Sequence, residues 1–361
     1  RLRTVTGVQT CALPISHWFD NEQRGHYFGY WFGHDMFTPP FKDPATGKLS
    51  YDSKRRAELL KSPDAKYIYP EMDRDTVLYG GTDPGRFNPT YMIFCESFIP
   101  PAKRNPQDPQ FDRRDVYLIT QNALADGRYL DYVNTLYGDR FATLTSEDSQ
   151  RAFSEYLDDA QRRLAHDQQF PEEPKQIRPR EDVRIEEGKV QVSGSTAVMA
   201  INERLLQALM QKNPDLSFAL QESSPLKSMY ADALPLGPLM ELRARDEQNP
   251  FTPERAAQSL DYWRNTAQQV LADTEAASSS AARESYAHDA VAAANLLAAH
   301  NFPAEAEQTY RLGMQFQAEN LEPVGGLANF LFASGRENEA RQVLDEFARQ
   351  HPGKQDRKST R

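Results

Sequence analysis

The sequence predicts an α/β domain, a mainly parallel sheet with flanking helices, followed by an all-α region of helical repeats. Three observations carry this. Two short apolar runs each stop at a polar or glycine turn, and the second leads straight into a helical pattern. Residues 196–212 have apolar side chains at helical spacing. Beyond residue 252 the chain repeats itself at an interval of 34 residues.

Both ends are set aside first. Asp356-Arg-Lys-Ser-Thr-Arg361 can be encoded as GATCGGAAGAGCACACGT, whose reverse complement translates as Thr10-Cys-Ala-Leu-Pro-Ile15. The termini thus read as antisense copies of one piece of DNA, and Val5–Ile15 matches a common short-read sequencing adapter. Residues 1–16 and 356–361 are excluded from fold reasoning as a fusion scar would be. The native chain is expected to begin near His17, to end near Gln355, and to be an internal piece of a longer protein.

Charge and cysteine content then narrow the function classes. The whole chain carries 42 Lys+Arg and 52 Asp+Glu, net −10. Without the ends, which hold five basic residues and one acidic one, it carries 37 and 51, net near −14. Such a balance argues against nucleic acid or an anionic membrane surface as partner. Cys95 is the one cysteine left, so neither an internal disulfide nor a thiolate metal site is expected. Its setting, Met92-Ile-Phe-Cys-Glu-Ser97, suggests a buried structural thiol. No stretch approaches the roughly 18 apolar residues of a membrane-spanning helix, so the chain as given is expected to be soluble.

The first part of the α/β domain spans 17–145. It opens with an aromatic stretch, His26–His34, and contains Pro-rich loops around 38–72 and 100–114. Thr76-Val-Leu-Tyr79 reads as a strand ending at Gly80-Gly81-Thr82-Asp83. Asp115-Val-Tyr-Leu-Ile-Thr120 reads as a second, ending at Gln121-Asn122 before a helix over 124–137. A charged helix and linker follow over 146–188, the helix at 146–168 and the linker at 170–180. The second part spans 189–245, with strands at 189–192, 216–220 and 238–242, a helix at 196–212 and a short helix at 224–233.

The helical repeats span 252–355. Shifted by 34, Ala294, Asn295, Leu297, Ala299, Glu305, Ala306 and Gln308 fall on Ala328, Asn329, Leu331, Ala333, Glu339, Ala340 and Gln342, and Tyr310 falls on Leu344. His300-Asn301 and Ser334-Gly335 occupy the turn between helices. The period and the small residues resemble the tetratricopeptide repeat, although the bulky first-helix aromatic is absent. In such arrays each helix pair has its apolar face covered by its neighbour.

Candidate chemistry is sparse. His17, His26, His34 and Asp35 cluster within nineteen residues, but not at the one-turn spacing that sets two metal ligands side by side. They are expected to pack and hydrogen-bond among aromatics. Gly80–Arg86 lacks the Lys-Ser/Thr of a phosphate-binding loop, and no cofactor motif is present. The carboxyl ends of parallel strands converge on one edge, where α/β proteins bind ligands. That edge would gather Thr82, Asp83 and Arg86, then Thr120, Gln121 and Asn122, then Gln221, Glu222 and Ser223. With Tyr79, Tyr91 and Trp31 nearby, it would suit a sugar or another polyol; plain loop capping is the competing reading. Asp83 and Glu222 could also form the carboxylate pair of a glycoside hydrolase.

Arg24-Gly-His-Tyr-Phe-Gly-Tyr-Trp-Phe-Gly-His-Asp35, Val77-Leu-Tyr-Gly-Gly-Thr-Asp83, Asp115-Val-Tyr-Leu-Ile-Thr-Gln-Asn122 and Ala197-Val-Met-Ala-Ile-Asn202 together resemble a group of large bacterial membrane proteins similar to protein O-mannosyltransferases. The resemblance covers roughly residues 20–270. It implies a multi-span N-terminal region with a glycosyltransferase-like part and a lipid-linked sugar donor. A soluble extracytoplasmic (periplasmic) α/β portion and tetratricopeptide repeats would follow. No position here inherits a catalytic role, since the family's carboxylate is expected near the first membrane spans. This chain would bind a glycan or protein acceptor at the sheet edge and a protein partner through the repeats, and would touch the membrane only through a segment upstream. The alternatives are a repeat-based interaction scaffold with a structural α/β domain, and a hydrolase using Asp83 and Glu222. On the edge reading, Asp83→Ala weakens glycan binding without unfolding the domain; a calorimetric titration showing unchanged binding would remove Asp83 from the site.

Overall fold

The computed structural model describes residues 32–80, 87–106, 108–222, 226–243 and 250–352. A small antiparallel ribbon, β1 (Phe41–Lys42) and β2 (Leu49–Ser50), follows helix α1 (Gly33–Phe37). After α2 (Ser53–Leu59), strand β3 (Val77–Gly80) leads to α3 (Phe87–Phe94), and β4 (Tyr117–Thr120) to α4 (Gly127–Tyr137). Helix α5 (Ser146–Gln169) begins at a capping box in which Thr145 and Asp148 satisfy each other's backbone N–H. The hairpin β5 (Asp182–Glu186) and β6 (Lys189–Ser193) precedes α6 (Ser195–Lys212), and β7 (Phe218–Gln221), β8 (Ala233–Leu236) and β9 (Leu239–Leu242) complete the strands. The rest is helical: α7 (Pro253–Ala272), α8 (Thr274–Ser278), α9 (Ser280–Ala299), α10 (Pro303–Phe316), α11 (Leu321–Ala333) and α12 (Glu337–Gln350).

The central sheet has the order β4-β3-β7-β9-β8. It is mixed, not mainly parallel: β3 runs parallel to β4 and β7, whereas β9 is antiparallel to both β7 and β8. The reversal comes from a two-residue hairpin closed by Leu236 and Leu239, with Gly237 at φ +58°. The short helix expected at 224–233 is a 3-10 segment over Lys227–Asp232, and strand β8, which was not expected, starts directly after it. It carries Pro235, which an edge strand tolerates because one side of its backbone needs no partner.

The expected strand at 189–192 does not join this sheet. It pairs with β5, a segment read as linker, through a turn in which Glu187 (φ 51°) and Gly188 (φ 74°) both take left-handed backbone. The preceding stretch is tied down as well. Asp167 accepts the N–H groups of Gln176 (2.7 Å) and Ile177 (3.1 Å), and Arg163 grips Glu181 with two nitrogens (2.5 and 2.7 Å). Gly194 (φ 102°) is required here: a Cβ would lie 2.1 Å from the Arg180 carbonyl oxygen.

Strand alternation sends Val77, Tyr79, Tyr117, Ile119, Phe218 and Leu220 to one face, into a core with Leu130 and Val133 of α4 and Leu205 and Leu209 of α6. Leu78, Leu118 and Ala219 point the other way, into a second core with Trp263 of α7 and Tyr286 and Ala290 of α9. The helical region therefore forms one of the two layers that cover the sheet. Tyr286 stacks on Phe316 (5.5 Å between centroids) and meets Phe32 edge-on (4.9 Å).

The 34-residue interval is visible in three dimensions. Both bounds of α12 lie 34 residues beyond those of α10. The turns before these helices use Asn301 (φ 61°) and Gly335 (φ 75°), also 34 apart. Gly326 lets α11 approach Tyr310, whose ring would sit 2.8 Å from a Cβ there. Because Trp263 is wholly buried in the layer shared with the sheet, Trp263→Ala is expected to cost about 3–5 kcal/mol. It should lower one common unfolding transition; separate denaturant transitions for the two regions, followed by circular dichroism and fluorescence, would contradict the shared core.

Candidate functional site

The parallel strands end in register, Gly80 opposite Thr120 on one side and Gln221 on the other. Each lies two residues beyond Leu78, Leu118 or Ala219, so all three face the helical layer at the sheet's carboxyl edge. Gly80 is the low point of the row. A Cβ there would lie 3.3 Å from Leu118 Cδ1, 3.4 Å from Leu78 Cγ and 3.6 Å from Gln221 Oε1, so the two leucines and the amide close over the glycine. Thr120 Oγ1 and Gln221 Oε1 are buried without a hydrogen-bond partner, on residues each 6% exposed. Buried polar atoms are rarely left so, because each costs about 1–3 kcal/mol.

The predicted edge residues divide. Gln121 is buried and its carbonyl accepts the Tyr79 hydroxyl, while Asn122 is exposed. Glu222 is turned inward: both carboxylate oxygens lie 2.9 Å from the Tyr230 hydroxyl, and Oε2 accepts the Leu226 N–H (3.2 Å). Burial pushes its pKa up, and these hydrogen bonds only partly offset the push. Its carboxylate thus anchors the turn at 226–230. Thr82, Asp83, Arg86, Ser223 and Trp31 lie outside the described residues, and so does any geometry for an Asp83–Glu222 pair. Tyr91 donates to Glu96 (2.9 Å).

The His-rich segment packs as expected where it is described. His34 bonds Asp108 (2.8 Å) between Tyr51 and Phe111, and the buried Asp35 lies 3.2 Å from the hydroxyls of both Tyr51 and Tyr286. Burial raises Asp35 to about 7 against the opposing effect of those hydroxyls. His17 and His26 fall outside the described residues. Cys95 is buried. Among the described residues no group of three or more His, Cys, Asp or Glu could hold a metal ion, and no helix is long and apolar enough to cross a membrane.

Three residues of the helical region border this edge and were not singled out from sequence. His288 on α9 meets the Glu222 carbonyl through Nε2 (2.6 Å) and the Glu322 carboxylate through Nδ1 (2.8 Å). Two acceptors demand two N–H groups, so the ring is an imidazolium. Burial alone would lower its pKa, but Glu322, Asp289 and the Glu222 carbonyl overcome that and raise it to about 9. Asp289 is 3% exposed and its Oδ2 has no partner. Burial lifts it to about 7, His288 opposing and Glu322 and Glu222 assisting. The available signal was an acid flanked by Ala287, Ala290 and Ala292–Ala294.

Between α5 and α6 lies a groove of about 1000 Å³ that no motif announced, lined by Arg151, Glu155, Tyr156, Glu203, Arg204 and Gln207 among others. The Arg204 guanidinium sits over the Tyr156 ring (5.6 Å) and pairs with Glu155 (3.6 Å). Its cations and carboxylates largely neutralise one another, so it selects neither sign of charge.

The His288 bridge has a pH signature. A histidine whose pKa rises on folding stabilises fully below its unfolded value, near 6.5, and stops doing so as pH passes about 9. The melting temperature of the protein should fall between pH 6.5 and 9 by more than that of His288→Gln, the difference corresponding to at most ~3 kcal/mol. Parallel curves would mean the imidazole is neutral in the fold. No family model, curated protein or solved structure matches this chain, so its function is read from this geometry.

Proposed function

We propose that this chain is the extracytoplasmic portion of a membrane glycosyltransferase-like protein, and that it binds a glycan or glycosylated acceptor at the carboxyl edge of its sheet without catalysing transfer itself. The row Thr120–Gly80–Gln221 carries this reading. It offers two buried polar side-chain atoms without partners on either side of Gly80, and hydroxyl groups admitted by a shift of the Leu78 and Leu118 side chains would satisfy them. The inward engagement of Glu222 favours binding over hydrolysis, because a carboxylate holding Tyr230 and Leu226 is not free to activate water.

On the same reading α9–α12 are tetratricopeptide-like units. Their contribution as a partner surface is the second function, favoured by the half-buried Val343 and Leu344 on α12 and the exposed Phe332 on α11. Apolar faces of this kind are covered by the next unit or a ligand in repeat arrays.

The direct test is titration of the intact chain with oligosaccharides, followed by calorimetry. Binding is expected, and Gln221→Leu should weaken it about tenfold or more by removing the amide. No binding to any glycan would end the glycan reading and leave the scaffold. Turnover of a glycoside by the chain would replace both with the hydrolase.

A further inference from the structure

We infer that the groove between α5 and α6 is a docking site for an extended peptide segment carrying an acidic side chain near each end and a basic one between them. The groove overlies the core of Ala152, Tyr156, Ala200 and Leu205, on the other face of the sheet from Trp263 and Tyr286. It therefore stands or falls independently of the glycan reading of the sheet edge.

The shape of the groove follows from how the two helices meet. They run antiparallel: Asp148 at the start of α5 pairs with Lys212 at the end of α6, and Glu155, two turns on, pairs with Arg204, two turns back (3.6 Å). Packed helices ordinarily fill the space between them with large side chains. Here Ala152, Ala200 and Ala208 line the floor, and they leave a trough of about 1000 Å³. That is the upper end of the range of ligand sites. On α6 the lining runs from Thr196 to Gln211, a rise of about 22 Å. An extended chain covers that length in about six or seven residues.

The charges inside are of two kinds. Arg151 and Lys212 are matched by Asp148, and Arg204 by Glu155. Arg178, Glu203 and Lys227 also line the groove, and among the described residues they enter no ion pair. Their order is fixed by their surroundings. The Thr196 hydroxyl donates to the Pro179 carbonyl (2.6 Å), which sets Arg178 at the first turn of α6. Gln207 Nε2 donates to Met229 Sδ (3.4 Å), which sets Lys227 and Ser228 beside the fourth turn. Glu203 lies between, two turns from Thr196 and one from Gln207. The unmatched charges thus read positive, negative, positive, at intervals of about 10 and 6 Å. The groove as a whole favours neither sign, yet this order favours a ligand whose own charges alternate the opposite way. On an extended chain those intervals correspond to about three residues and two.

Other ligand classes fit less well. Tyr156 is the one aromatic residue in the lining, and it is wholly buried with the Arg163 and Arg204 guanidinium groups over its ring (5.7 and 5.6 Å). It offers no open face on which a sugar or a base could stack. Asp148, Glu155 and Glu203 in the walls oppose a run of phosphates. A peptide backbone needs both donors and acceptors along its length, and Thr196, Gln207, Gln211 and Ser228 supply both.

The test titrates the whole chain with fluorescein-labelled, end-capped peptides and reads fluorescence anisotropy. One peptide places Glu, Lys and Glu at the spacing of the groove, in either chain direction. A second exchanges every Glu and Lys, and a third carries Ser at all three positions. The first should bind at least about fivefold more tightly than the other two. Lys227→Glu should weaken that binding about fivefold, and the peptide whose facing Glu is changed to Lys should restore it. Arg178 and Lys227 are exposed, so their variants should keep the wild-type melting temperature. Equal affinity for all three peptides, or no binding of the first, overturns the inference on the wild type alone, whether or not the variants fold. Unchanged affinity in both Lys227→Glu and Arg178→Glu, with folding intact, places the peptide elsewhere and overturns it too. Tighter binding of a uniformly acidic peptide, a single-stranded oligonucleotide or an oligosaccharide at this groove, lost in Lys227→Glu, replaces the alternating peptide by that class.

Discussion

Everything in this molecule depends on a sheet of four-residue strands that is buried on both faces. Strands so short contribute few hydrogen bonds, and β3, β4 and β7 have no residue in water. Such strands hold together only when apolar layers close on them from both sides. One layer, α4 and α6, comes from the α/β part of the chain. The other joins α1 and α3 to α7 and α9, which lie more than a hundred residues further on than β4. Trp263, Tyr286 and Phe316 pack there with Phe32, Met36, Phe37, Met92 and Phe111 from the first part of the chain.

How much of this was legible in the sequence follows from local against distant causes. Strands β3 and β4 announced themselves as β-branched apolar runs before turns, β7 as a short apolar run, and α6 by its apolar spacing, because each is decided by its own residues. The repeat was readable for the same reason: Ala294 and Ala328, or Asn301 and Gly335, answer identical local requirements. Strand β8 was missed because Ala233-Leu-Pro-Leu236 is a strand only by pairing with β9 at an edge. The hairpin β5–β6 was missed because Glu187-Gly188 sits in a charged stretch resembling a linker. The parallel majority was overestimated since strand direction depends on one glycine turn, Gly237-Pro238, and not on the composition of the strands.

The site divides along the same line. That the carboxyl edge would carry polar tips was visible, and Thr120, Gln121, Gln221 and Glu222 lie there. Which of them are engaged within the protein was not, because a strand's facing depends on register. Gln121 and Glu222 turn out to be engaged internally, one through its carbonyl and the other through its carboxylate, while Thr120 and Gln221 keep a free polar atom. His288, whose ring meets the Glu222 carbonyl, could not be linked to this edge from sequence, being 66 residues from Glu222 and in a different class of structure. Contact across that interval exists only once α9 lies on the sheet.

The matching bounds of the two helix hairpins bear on how such a chain can change in length. The α9–α10 pair is committed to the sheet, whereas α11 and α12 bury their apolar residues mainly against that pair. Units can therefore be gained or lost at the far end of the stack without disturbing the register of Thr120, Gly80 and Gln221. In this architecture growth by duplication and preservation of the sheet edge are mechanically independent, with Tyr310 and Gly326 as the joint between the repeated pairs.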